Sequence, residues 1–320
     1  MSTPALVTLP DIEAAAVRLA GVVRRTPLLL TQLGRPEAPL WLKAESLQLG
    51  GSFKLRGATN AVAQLHDDER ARGVITHSSG NHAQALARAA REAGIAATIV
   101  MPSQAPAVKR AATEALGANV MVVDISEREA VTERLRVETG AVFVPPFDHP
   151  AIIAGQGTVG LEIAEELPDV ATVLVPVSGG GLISGIAAAL KADRPHVRVV
   201  GVEPELAGDL AEGFTAGQRV TWSSANTGRT IADGLRVTAV GDLNWHHIRT
   251  LVDDVVTVSE DEIRAAMRLT ILEAKLVCEP SGAVAVAGYF AHSKRVGPGP
   301  TVAVVSGGNV ESSLVRDVLR

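Results

Sequence analysis

The chain has 320 residues, enough for about two domains or one large α/β unit with an inserted lobe. A hydrophobic share of 47% with 30 glycines and 17 prolines describes a well-buried globular chain rather than a disordered or fibrous one, and a net charge of −5 without runs of like charge argues against a nucleic-acid partner. The single cysteine, Cys278, allows no internal disulfide framework or cysteine-based zinc site, and no signal peptide or membrane-spanning segment is predicted, so the expected location is the cytoplasm.

In chain order, the first informative stretch is Gly50-Gly51-Ser52-Phe53-Lys54-Leu55-Arg56-Gly57-Ala58. It seats Lys54 behind a Gly-Gly turn, beside an aromatic ring and ahead of a helix-like run. An amine so placed is a candidate covalent anchor that forms a Schiff base with an aldehyde cofactor; an ordinary lysine at a helix start is the alternative. From Gly73 to Val144 short β-branched runs alternate with alanine-rich ones. The pattern predicts strands Val74–Thr76, Ala97–Val100, Val120–Val123 and Val142–Val144, with helices from about His82 to Ala93, Ala105 to Leu116 and Glu127 to Thr139. A glycine follows each helix (Gly94, Gly117, Gly140). A second set follows Ala154: strand Val173–Val177, a helix from Leu182, strand Val197–Val200, helices near Asp261–Lys275 and Ala283–Phe290, and strand Val302–Val305. Such alternation predicts parallel sheets with ligands at the carboxyl ends of the strands. The expected layout is a large lobe from residues 1–68 and 152–320 around a small inserted α/β lobe, 69–151. Leu206–Arg229, rich in Gly, Thr, Ser and Asn, reads as a long irregular loop.

Four loops carry chemistry. Ser178-Gly179-Gly180-Gly181-Leu182 joins a strand to a helix, and consecutive glycines turn backbone amides inward as an anion nest suited to a phosphate. The dinucleotide spacing G-x-G-x-x-G is absent there. His77-Ser78-Ser79-Gly80-Asn81-His82 also joins a strand end to a helix start. Its hydroxyls, amide side chain and helix-terminal N–H groups suit a substrate carboxylate and the phenolic oxygen of a pyridine cofactor, while His82 is also readable as a solvated or capping histidine. In Val305-Ser306-Gly307-Gly308-Asn309, a serine beside a pyridine nitrogen holds it protonated less firmly than a carboxylate would, which favours expulsion of a β-leaving group over long-lived carbanion chemistry. Finally, Glu203 and Asp209, with the Ala207 carbonyl between them, offer oxygen ligands to a hard divalent cation, against the simpler reading of a solvated acidic loop.

Together these motifs resemble the fold type II pyridoxal 5′-phosphate enzymes, of tryptophan synthase β-like architecture, in the branch holding serine/threonine dehydratases, serine racemase and hydroxyaspartate ammonia-lyase. The resemblance runs from Thr26-Pro27-Leu28 through Ala154–Thr158, Ile231–Gly234 and Glu279–Ala283 to Ser306–Asn309. It implies that Lys54 carries the Schiff base, that Phe53 packs on the cofactor ring and that Asn81 meets the phenolic oxygen. It further implies that Ser178, Gly179, Gly180, Gly181 and Leu182 hold the phosphate, that Gly234 joins the cofactor site and that Ser306 contacts the pyridine nitrogen. Ser78, Ser79, Asn81, His82 and Arg128 then bind substrate, and Glu203, Ala207 and Asp209 form a magnesium or calcium site. Ser79 and the acidic trio look more like serine racemase and hydroxyaspartate ammonia-lyase; Phe147 resembles the dehydratases, and Pro145 replaces a histidine common to the branch.

The expected activity is β-elimination from L-threonine- or L-serine-type 3-hydroxy amino acids, giving a 2-oxo acid and ammonia, with Lys54 as α-proton base and Ser79 on the opposite face. A serine racemase and a threo-3-hydroxyaspartate ammonia-lyase are the chemical rivals. A catalytically silent ligand-binding module is the rival from another class, and the joint presence of Lys54, Ser79, Asn81 and Ser306 argues against it. Only part of a nucleotide-activator site is echoed, by Gln84, Lys109, Lys275 and Asn309. The family further implies a homodimer.

Overall fold

The computed structural model describes residues 5–105 and 107–320. Residue 106 of the helix expected over Ala105–Leu116 lies outside that range; the helix described there is Ala107–Glu114. Ten strands are described. In chain order they are β1 (Leu28–Leu30), β2 (Leu40–Lys43), β3 (Val74–His77), β4 (Ala97–Pro102), β5 (Asn119–Val123), β6 (Val142–Phe143), β7 (Thr172–Pro176), β8 (Arg198–Pro204), β9 (Asp254–Val258) and β10 (Thr301–Val304). They build a six-stranded sheet, β1-β2-β10-β7-β8-β9, and a four-stranded sheet, β5-β4-β3-β6. Every pairing is parallel except that of β1 with β2.

Parallel strands covered on both faces read as unbroken apolar runs, and β7 and β10 are buried along their whole length. Alternate side chains serve opposite cores. Leu174, Val200, Val202 and Ala303 pack with helices Glu260–Leu272 and Pro280–Ala291, whereas Val173, Val175, Val302 and Val304 pack with Pro150–Glu166 and Gly181–Asp193. Helices Pro150–Glu166 and Gly181–Asp193 cross backbone to backbone where a Cβ on Gly185 would strike Gly157. The Ala154–Thr158 motif therefore lies inside a helix and serves packing. The smaller sheet forms its own core of Val74, Leu86, Ile99 and Met101, which helix Lys54–Ala63 enters through Leu55, Ala58 and Val62.

The strands of the two expected β/α series are present. The chain adds β1, β2 and β9 and the long helix Pro150–Glu166, which the alternation alone did not mark. The segment Leu206–Arg229 is not one irregular loop: it contains helices Asp209–Ala216 and Ser224–Thr227. Acidic residues in a first turn favour helix there, with Asp209 and Glu212 against the positive helix end, and Gly217 closes that helix at φ 74°. None of the described helices is long and apolar enough to cross a membrane.

Candidate active site

Lys54 opens helix Lys54–Ala63, and its first turn is anchored from below. Arg56, fully buried, donates to both oxygens of Glu45 (2.9 and 2.8 Å) and both oxygens of Glu162 (2.6 and 2.8 Å), while buried Lys43 meets Glu162 at 2.7 Å. Two buried cations against two carboxylates close the set, so loss of one member strands a charge. From above, the Phe53 amide donates to the Ser306 carbonyl (3.1 Å) and the Gly308 amide to the Gly51 carbonyl (2.9 Å), tying the lysine turn to the loop after β10. Lys54 Nζ donates to the Pro146 carbonyl at 2.7 Å and lies 5.2 Å from the centre of the Phe53 ring. Burial pulls its ammonium down to about 8, which leaves roughly a tenth of the amine uncharged at pH 7.

The segment Val144–Asp148, leaving β6, reaches three further elements. Its Val144 carbonyl takes a hydrogen bond from His82 Nε2 (3.0 Å). Burial, then the neighbouring Lys54 charge, pushes buried His82 down to about 3, so the ring is neutral and its Nδ1 stands buried without a partner. Phe147 lies so close over Gly179 that a Cβ there would overlap its ring. Consecutive residues Pro146 and Phe147 thus touch the Lys54 amine and the glycine loop.

That loop has the shape of an anion cradle. Residues 179–182 are buried, yet none of their amides donates to a protein acceptor among the described residues. Gly180 takes φ 92°, a region costly for other residues, and the loop feeds directly into helix Gly181–Asp193, whose positive end adds to the amides. Four buried N–H groups without partners are expensive unless an anion accepts them, and a phosphate ester fits. Ser178 supports the turn by accepting from the Val237 amide at 3.2 Å.

Across from the cradle, Asn81 is held by two side chains. Its Nδ2 donates to Glu279 Oε1 (2.7 Å), and its Oδ1 accepts from Asn309 Nδ2 (2.8 Å). Burial and then the Asp233 charge raise the Glu279 carboxyl to about 8, so it is protonated near neutral pH. Gly234 and Ser306 meet at Ser281: the Gly234 amide donates to Ser281 Oγ at 3.0 Å, and Ser306 Oγ reaches the Ser281 carbonyl at 3.4 Å. Ser78 and Ser79 are half-buried in the turn before Asn81. Arg128 stands apart from this set, paired with Glu129 at 3.3 Å and close enough to His77 for its charge, after burial, to depress that imidazole.

Glu203 closes β8 and is fully buried. Its Oε2 accepts from the Ala211 amide (2.8 Å), while its Oε1 and Asp209 Oδ2 are both buried without partners among the described residues. Burial and then the Asp209 charge raise Glu203; burial raises Asp209. Ala207 ends the short turn Glu205–Ala207 between them. The described residues contain no cluster of three or more His, Cys, Asp or Glu; a cation here would have two carboxylates and would need carbonyl and water oxygens to complete its shell.

The sequence left four contributors unassigned: Glu279, Ser281, Asp148 and Asn244. Glu279 and Ser281 stood inside a quoted motif. Asp148 and Asn244 gave no local signal, because their partners are far away in the chain.

Known proteins resemble this chain along nearly its whole length. The sequence pattern of the family described as "Pyridoxal-phosphate dependent enzyme" matches residues 19–307. A serine racemase of Oryza sativa subsp. indica is 42% identical across 97% of this chain and 93% of its own length. An L-threonine ammonia-lyase of Thermotoga maritima is 44% identical across 98% of this chain and 78% of its own. The solved structure of maize serine racemase matches with a TM-score of 0.93 at 40% identity, over 98% of this chain and 97% of that one. Sequence identity places relatives named for the two reactions at nearly the same distance.

Proposed function

Because this chain belongs to the pyridoxal-phosphate dependent enzyme family, in its fold type II serine/threonine dehydratase and serine racemase branch, we propose that it is an ammonia-lyase. It converts L-threonine- or L-serine-type 3-hydroxy amino acids to 2-oxo acids and ammonia. The observation that carries the reading is the convergence, on two adjacent residues of one segment, of a desolvated lysine amine and a cradle of partnerless buried amides. Pyridoxal phosphate, when bound, supplies an aldehyde for Lys54 and an electron sink that acidifies the substrate Cα–H. The amides of Gly179 to Leu182, with Ser178, would hold its phosphate, and Phe53, Asn81, Gly234 and Ser306 would hold the ring.

Lys54, uncharged in part at neutral pH, takes the Cα proton, and the Pro146 carbonyl orients the amine for that transfer. Ser78, Ser79 and Asn81 receive the substrate carboxylate, while neutral His82 braces the turn against Val144. Ser306, a hydroxyl and not a carboxylate, leaves negative charge at Cα rather than in the ring, and this favours loss of the β-hydroxyl as water. Glu203, Asp209 and the Ala207 carbonyl would hold magnesium or calcium, which would relieve two buried carboxylates. The four-stranded sheet, whose strands fall between Val74 and Phe143, supports reading residues 69–151 as an inserted lobe.

Serine racemisation is the second reading, favoured by the half-buried Ser79 hydroxyl in the turn before Asn81, a candidate second proton carrier besides Lys54. A panel of L-serine, D-serine, L-threonine and threo-3-hydroxyaspartate, assayed for keto acid and for enantiomer, decides between them. Keto acid as the main product from L-threonine and L-serine is expected; D-serine as the main product from L-serine would overturn the lyase assignment.

A further inference from the structure

A loop presents its amides inward only if its carbonyls are held outward, and the Gly179 carbonyl is held from outside the loop. We propose that Asp148 and Asn244 are positioning residues for the anion cradle, a role that rests on reading Gly179–Leu182 as the phosphate loop. Asp148 accepts from the amides of Asp242 (3.0 Å), Leu243 (3.0 Å) and Asn244 (3.3 Å). It therefore caps helix Asp242–Leu251, whose own N-cap is Gly241 and brings no side chain.

The capped turn delivers two donors to one acceptor: the Gly179 carbonyl takes hydrogen bonds from Asn244 Nδ2 (2.9 Å) and from the Gly241 amide (3.1 Å). Asn244 is fully buried and its Nδ2 also points to Asp148 Oδ1 at 3.4 Å. The opposite amide orientation would set its oxygen against two acceptors, so the assignment is fixed by the network. In a planar trans peptide the C=O of one residue and the N–H of the next point opposite ways. Pinning the Gly179 carbonyl therefore aims the Gly180 N–H away from helix Asp242–Leu251. A Cβ on Gly180 would come within 2.9 Å of the Asn244 Cβ, and Phe147, next to Asp148, covers Gly179, so the peptide is clamped on both sides. Neither Asp148 nor Asn244 donates to the phosphate in this scheme; each acts through Gly179.

The test separates phosphate recognition from covalent anchoring. Pyridoxine 5′-phosphate and pyridoxine both lack the aldehyde, and they differ only in the phosphate. Binding of each to full-length protein stripped of cofactor is measured by calorimetry for wild type, Asp148→Asn, Asn244→Ala and the double variant. Wild type is expected to bind the phosphorylated ligand far more tightly. Each single variant should weaken it by about tenfold, as loss of an outer support does for a bound ion, and leave pyridoxine unchanged. Because the two residues act in series, the double variant should lose no more than the worse single one. The rate at which unphosphorylated pyridoxal reacts with Lys54 reports that each variant is folded, and it should not change. Equal losses for both ligands, or undiminished preference for the phosphate, overturn the positioning role. A wild type that does not distinguish the ligands overturns the cradle reading itself, and the proposal with it.

Discussion

Two turns of this molecule have the same topology and opposite composition. After β3, residues 78–80 lead into helix Asn81–Ala93; after β7, residues 178–180 lead into helix Gly181–Asp193. Both stand at the carboxyl end of a parallel strand, where open α/β sheets bind ligands. The second turn is buried, nearly without side chains, and shows its amides; the first is half-buried and shows hydroxyls, an amide and an imidazole. In the proposed function the glycine turn takes a phosphate, the same in every turnover, so fixed main chain suffices for it. A substrate varies in its side chain, and side chains can be tuned to it. The glycine turn should therefore fail through volume, and the serine turn through chemistry.

Lys54, whose amine meets the Pro146 carbonyl, carries the largest expected effect. Lys54→Ala should remove the visible cofactor band and lower turnover by about a thousandfold or more, because anchor and base are lost together. A spectrum and a keto-acid assay check this, and near-normal turnover would reassign the base. Next comes Gly179→Ala, whose methyl would overlap the Phe147 ring with Lys54 intact. Cofactor affinity, read by titrating the visible band, should drop by roughly a hundredfold. Ser78→Ala in the other turn should leave cofactor affinity within about threefold, since in the proposed reading that hydroxyl serves the substrate and not the cofactor. Equal losses in the two turns would erase the distinction between them.

The glycine turn was legible in the sequence because its physics is local: a strand run, consecutive glycines and a helix start stand side by side. The same holds for β4 and β7, whose β-branched runs announce buried parallel strands. β2 was not legible. Its Lys43 reads as polar, and the Glu162 that makes it a core residue is far along the chain. β1 offers three leucines with no alternation to read. Asp148 carried no local signal, for the three amides it caps begin 94 residues later. Leu206–Arg229 misled because small and polar residues suit loops and short capped helices equally.

Two intermediate effects concern the buried acids around the large sheet. If Glu203 and Asp209 hold a hard cation, complete chelation should lower the melting temperature by on the order of 5 °C, and magnesium or calcium should restore it. An unchanged melting temperature after verified metal removal would end that assignment. Glu279 behaves differently, since it is neutralised by a proton. Its folded-state value near 8 exceeds the ordinary 4.5, so the folded protein binds the proton more tightly than the unfolded chain does. The resulting stability is fully present below pH 4.5 and is lost as the pH rises toward 8, by about 3 to 5 kcal/mol at most. Glu279→Gln keeps the acceptor for Asn81 and removes the titration. In cofactor-free protein its melting temperature should decline less between pH 5 and 8.5 than that of wild type. Parallel curves would show that Glu279 is already ionised.

The smallest effect on elimination, and the sharpest on stereochemistry, belongs to Ser79. Elimination needs proton removal on the lysine face alone, whereas racemisation needs an acid or base on both faces. Ser79→Ala should thus abolish interconversion of D- and L-serine and any D-serine dehydration, while keto acid from L-threonine falls by no more than about fivefold. The glycine turn is untouched by this change, so cofactor affinity should hold. Both products from L-serine, measured for wild type and variant, provide the readout. Racemisation that survives would mean that the second-face acid lies elsewhere, whereas a collapse of elimination together with racemisation would show that holding the substrate carboxylate, and not moving a proton, is the main contribution of Ser79. The serine turn would then be a holding device like its glycine counterpart, built from side chains instead of amides.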